Sequence, residues 1–144
     1  MVICKVRNTS FLFLFSILSL LAGCTEEKES GPTESEVTIE FFNAVYNQKD
    51  LNKVLSLSSE GFKKEIKKYK TINNFSRRVL NLSFDSVTIE TQKSNTTVID
   101  EFNIQVVIKV MLTGMRNDKT YKDVKKIQLI RKNNIWLVDK LLKS

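Results

Sequence analysis

The apolar positions along this chain change spacing three times, and each change marks a different kind of segment. Phe11 to Leu21 reads FLFLFSILSLL, an apolar run broken only by Ser16 and Ser19. Residues 25–36, TEEKESGPTESE, hold five glutamates, one lysine, the only proline and no large apolar side chain. From Val37 the period becomes helical. Val37, Phe41, Val45 and Phe42, Tyr46 fall four apart and predict an aromatic-striped helix to about Gln48. Asp50 is placed to cap a short helix that turns Leu51, Val54 and Leu55 inward. Ser58 or Ser59 opens a third, with Phe62, Ile66 and Tyr69 on one face and Lys63, Lys64, Lys67, Lys68 and Lys70 on the other. Asn73 to Leu80 reads as a further helical turn.

Beyond residue 80 the period falls to two, the spacing of a strand with one buried face. Val87 and Ile89 alternate with Thr88 and Glu90, and Phe102, Ile104, Val106, Ile108, Val110 and Leu112 occupy six successive alternate positions. Asn117-Asp118 marks a turn, Ile127 and Leu129 align in the next strand, and Asn133-Asn134 is a tight-hairpin signal. The last strand splits Ile135 and Leu137 from Trp136 and Val138. Helices followed by about four antiparallel strands is an α+β order, with the helices packed on a curved antiparallel sheet. In this order, with VTIEFFNAVYNQ, KDLNKVLSLSSEGFKKEI and the closing KKIQLIRKNNIWLVDKL, residues 37–144 resemble the nuclear transport factor 2-like (cystatin-like) superfamily. That superfamily includes ketosteroid isomerases and many bacterial lipoproteins. The resemblance rests on element order and the aromatic helix; it implies a sheet curled into a cone around the first helix.

The N-terminal pattern supplies an address. Lys5 and Arg7 precede the apolar run and no acid does. As a helix the run spans roughly 17 Å, against about 30 Å of bilayer hydrocarbon, so it is expected to be a cleavable export signal. It closes on Leu21-Ala22-Gly23-Cys24, which resembles the bacterial lipobox. The resemblance implies a diacylglyceryl thioether on Cys24, cleavage before it, and acylation such as palmitate on the new amino group. Residues 1–23 are then the signal peptide and 24–36 an acidic, lipid-anchored linker of disordered composition, with a reach of about 20 Å as a flexible coil. The domain hangs in the periplasm or outside the cell, on the cell membrane or the outer membrane. Thr25 in place of an aspartate favours the outer membrane, by likeness to enteric sorting. The covalent lipid is the one cofactor-like group implied.

Cys4 leaves with the signal and Cys24 is consumed by lipid, so no thiol remains for a disulfide, a metal or a nucleophile. There is no histidine, which removes the usual nucleophile triads and imidazole metal sites. Four glycines form no nucleotide-binding loop. Residues 37–144 hold 20 Lys+Arg and 11 Asp+Glu, which points to an anionic neighbour. Outside the cytoplasm that neighbour is not nucleic acid; an envelope protein or an anionic surface met by Lys63, Lys64, Lys67 and Lys68 fits better, and a merely solvated lysine face is the simpler account. Tyr46, Tyr69 and Trp136 either line a cone pocket or fill the core. Among the acids, Asp85, Glu90, Asp100, Glu101, Asp123 and Asp139, only Asp139 is a candidate base, and a frayed strand end with a lysine partner explains it as well. Asp100-Glu101 reads as a hairpin edge.

These features favour a non-catalytic, lipid-anchored binding or assembly module in the cell envelope. A small-ligand carrier is the alternative, and an isomerase-like enzyme comes last. In cells fed labelled palmitate, the wild-type chain should carry label and Cys24→Ser should remain an unlabelled precursor. Label on the serine variant, or none on the wild type, would contradict the anchor.

Overall fold

The computed structural model describes residues 31–81, 84–100 and 103–143. Cys4, Cys24, Glu101 and Phe102 lie outside these residues, as does most of the expected linker. Within them the fold is α+β. Four helices, α1 (Glu34–Tyr46), α2 (Leu51–Ser56), α3 (Glu60–Lys67) and α4 (Ile72–Val79), precede four strands, β1 (Ser86–Asp100), β2 (Asn103–Arg116), β3 (Lys119–Lys132) and β4 (Ile135–Leu142). The strands form one antiparallel sheet in sequence order. No helix among the described residues is long and apolar enough to cross a membrane.

Each helix starts where a short polar side chain can bond the free N–H groups of its first turn. Thr33, Asp50, Ser59 and Thr71 do this for α1 to α4. Helix α1 begins before its aromatic stripe, because Thr33 and Glu36 form a reciprocal capping box. Its other end is clasped to the sheet. The Asn47 side chain accepts from the Val87 N–H at 2.9 Å and donates to the Val87 carbonyl at 3.0 Å. A side-chain amide thus takes the place of a strand beside β1.

The hairpin turns after β2 and β3 follow from the tolerance of asparagine and aspartate for positive φ. Asn117 and Asp118 have φ of 49° and 59°, and Asn133 and Asn134 have 52° and 61°. They set the registers Arg116↔Lys119 and Lys132↔Ile135. That pairing puts Val106, Ile108, Val110 and Leu112 of β2 beside Ile127 and Leu129 of β3 on a single buried face. In β4 the buried residues are Trp136 and Val138, while Ile135 is 58% exposed. The outer edge of β4 is covered. Val138 exchanges backbone hydrogen bonds with Leu57 and Ser59 through a parallel bridge at Ser58.

The aromatic stripe of α1 lies on this face. Phe41, Phe42 and Tyr46 are all buried. Ring contacts run without a break from Phe84 through Tyr46, Phe42, Phe41, Phe62 and Phe75 to Tyr69, with centroids 5.4–6.4 Å apart. At the Phe84 end the ring lies across Gly114 of β2. A Cβ there would stand 2.2 Å from a Phe84 ring carbon, so only glycine admits the ring.

Gly114→Ala should therefore destabilise the protein by about 1–3 kcal/mol or more in denaturant titration, through forced displacement of Phe84. Combined with Phe84→Ala, the alanine at 114 should cost far less than it does alone. Additive losses would show that the two positions are not in contact.

Candidate functional site

An apolar-walled concavity lies where α3, α4 and β4 meet. It holds about 510 Å³ and is walled by Phe62, Tyr69, Phe75, Val79 and Leu141, with Gly61, Glu65, Asp139 and Lys140 around them. Local chemistry builds each wall. The Ser59 cap starts α3 so that Phe62 and Ile66 point inward, and Gly61 contributes no side chain to the opening. Thr71 restarts the chain as α4, whose Phe75 meets Tyr69 edge-on at 5.9 Å.

The β4 wall depends on a bulge. Leu129 pairs with Val138 but Gln128 pairs with Lys140, so Asp139 is an extra residue. The insertion turns Leu141, paired with the buried Ile127, toward the helices. It also swings Asp139 to the helix side, where its Oδ1 accepts the Ser59 hydroxyl at 2.8 Å. The strand has not frayed at this point, since β4 runs on to Leu142. The partner of Asp139 is the helix-capping serine, not the expected lysine.

Of the three aromatics proposed for a pocket, the groove takes one. Tyr69 lines it. Tyr46 lies deep under α1, 2% exposed, parallel to Phe42 and tilted against Phe84. Trp136 is buried against the helices with the Arg131 guanidinium 5.8 Å above its ring. The Tyr46 hydroxyl is buried and hydrogen-bonds to no described residue. Burial raises its pKa above the ordinary tyrosine value, and the Asp123 carboxylate adds to the rise.

The remaining acids are dispersed. Asp123 pairs with Lys125 at 2.9 Å, Glu90 is exposed on the sheet, and Asp85 is exposed before β1. Asp100 ends β1. Among the described residues no group of three acidic, histidine or cysteine side chains is gathered to hold a metal. On the lysine face, Lys63 pairs with Glu60 at 2.5 Å and Lys68 with Glu65 at 2.6 Å, while Lys64 and Lys67 are exposed. Lys63 in turn holds the Glu60 carboxyl below the usual range. The sequence reading missed the groove's Leu141 and Val79. It had no signal for the bulge, which alone brings Leu141 round.

Compared with protein-family models and with curated protein sequences, the chain matches none.

The buried hydroxyl of Tyr46 gives a test with a definite sign. Its folded pKa is raised, so the stability it contributes is whole below about pH 10, the unfolded tyrosine value, and declines as pH rises past it. Tyr46→Phe should match or exceed wild type by about 1 kcal/mol at neutral pH, since no hydrogen bond is lost. The variant should also lack this part of the alkaline decline. A neutral-pH loss above about 1 kcal/mol in denaturant melts would mean that the hydroxyl has a partner.

Proposed function

We propose that this chain is a lipid-anchored cell-envelope protein whose α+β domain is a non-catalytic binding module, with its ligand surface in the groove between α3, α4 and β4. The observation that carries the reading is the groove itself. Its volume of about 510 Å³ is within the common range for small-ligand sites, and such sites combine apolar walls with a few placed polar groups. Here Phe62, Tyr69, Phe75, Val79 and Leu141 supply the walls, and Glu65, Asp139 and Lys140 supply charge of both signs. An amphipathic ligand suits that arrangement.

The non-catalytic part of the proposal has its own support. Both acids at the groove are engaged, Asp139 by the Ser59 hydroxyl and Glu65 by Lys68. The Tyr46 hydroxyl, the buried donor an isomerase-like site would call on, lies inside the core away from the groove lining. The anchor rests on Leu21-Ala22-Gly23-Cys24. Membership of the nuclear transport factor 2-like superfamily belongs to the same proposal, supported by helices that precede and cover one face of an antiparallel sheet. A small-ligand carrier is the second reading, favoured by the apolar walls; an envelope protein that inserts a side chain would use them equally.

A photo-reactive residue at Lys140, on the groove's rim, separates these occupants in intact cells. A binding module should give a discrete protein adduct, and a carrier should give a small mass increment. Either should vanish when Val79→Trp fills the groove, in a variant that still melts cooperatively. Adducts indifferent to that substitution, or no adduct at all, would contradict the groove as the ligand surface.

A further inference from the structure

The corner between α3 and α4 carries a second, quite different concavity. It holds about 330 Å³ and is lined by Lys68, Tyr69, Lys70, Asn74 and Arg78. Three of these five residues are cations and none is an acid. The surrounding charge has the same sign, with seven cations against two acids over residues 60–79. Both acids are engaged, Glu60 by Lys63 and Glu65 by Lys68. Among the described residues, Lys70 and Arg78 form no ion pair.

The frame behind these cations is well held. Lys70 takes the left-handed conformation, φ 63°, between the end of α3 and the cap of α4. The Lys70 N–H donates to the Lys67 carbonyl at 3.1 Å, and the Asn74 side chain donates to the Tyr69 carbonyl at 3.2 Å. Tyr69 is braced from behind by Phe75. The hollow therefore presents cationic side chains from a pinned backbone, with the Tyr69 ring as its one aromatic wall.

We propose that this hollow is an oxyanion site for a phosphate-type group, carried by a lipid headgroup or free in solution, with Lys70 and Arg78 as its main binding cations. The chemistry selects that class. A guanidinium fork grips two oxygens of one anion, and an ammonium adds a point charge to a third. A carboxylate must share its two in-plane oxygens between both cations, whereas a tetrahedral phosphate offers a further oxygen and more charge. Lys68, already paired with Glu65, contributes field more than contact. A concave cationic site with an apolar wall also concentrates anions better than a flat lysine face does. Tyr69 lines this hollow and the apolar groove, so a lipid-borne phosphate would have apolar surface beside it. The inference stands on the corner's own geometry and survives the loss of either the anchor or the groove reading.

The test uses the full chain mixed with phosphatidylcholine bilayer discs, with amide resonances followed at constant ionic strength. One arm adds inorganic phosphate; the other substitutes phosphatidylglycerol into the discs. Saturable shifts at Lys70, Asn74 and Arg78 are expected. If phosphate produces them the source is the free ion, and if only phosphatidylglycerol does the source is the headgroup. Lys70→Asn/Arg78→Gln, in which asparagine keeps the left-handed turn, should weaken the response about ten-fold or more, the loss expected when charge-assisted hydrogen bonds are removed. Lys64→Gln/Lys67→Gln removes the same charge from the adjacent face and should leave the midpoint within about two-fold, as for exposed, screened charges. Unchanged resonances elsewhere show that both variants are folded. No response in either arm, or equal weakening by the two variants, would overturn the site.

Discussion

The contact between the aromatic ridge of α1 and the alternating apolar face of β2 and β3 is what the rest of the molecule depends on. Phe41, Phe42 and Tyr46 are large side chains with essentially no exposure, each stabilising the fold by about 1.5–3 kcal/mol through burial. Thr33 fixes where the helix begins and Asn47 fixes its end against β1. With its ends set, the helix has one way to lie on the sheet. The ring contacts that begin under it then pass to Phe62, Phe75 and Tyr69, so the position of the outlying helices follows from the same packing.

The groove and the hollow proposed as binding sites both sit at the end of that chain of rings. The corner made by α3 and α4 presents an apolar groove toward β4 and a cationic hollow on the far side of Tyr69. Both helices are short, eight residues each, and their hold on the sheet side runs through few points. The Leu57–Ser59 bridge to Val138 is one, and the Ser59–Asp139 hydrogen bond is another. A long helix on a broad sheet forms the frame, and a pair of small helices forms the proposed binding surface. Short elements with modest burial are where local opening is cheapest, which suits the wall of a proposed ligand groove.

Much of this frame was legible in the residues. The alternate apolar positions from Ile104 to Leu112 define one strand face, and Asn133-Asn134 defines a hairpin because asparagine accepts positive φ. The aromatic stripe of α1 shows its buried side through four-residue spacing. What escaped were features set by contacts distant in sequence. Gly114 looks like a defect in a good strand until Phe84 is placed across it. Strict alternation groups Asp139 with Ile135 and Leu137, which face outward; the bulge breaks the alternation, and its cause lies partly in Ser59, eighty positions away. The lysines of α3 were visible as a charged face. The concavity at Lys70 and Arg78 was not, since it exists only once α4 folds back from α3.

The central claim is a division between a stable α1-and-sheet frame and a more easily opened α3–α4 wall, and amide hydrogen exchange of the full chain tests it most directly. The account predicts that buried amides of α1 and of Val106, Ile108, Ile127 and Leu129 exchange together and slowest, through global unfolding. Amides from Phe62 to Val79 should exchange faster, through an opening that leaves the frame protected. Equal protection of the α3–α4 segment and the sheet, or α1 exchanging ahead of that segment, would contradict the account.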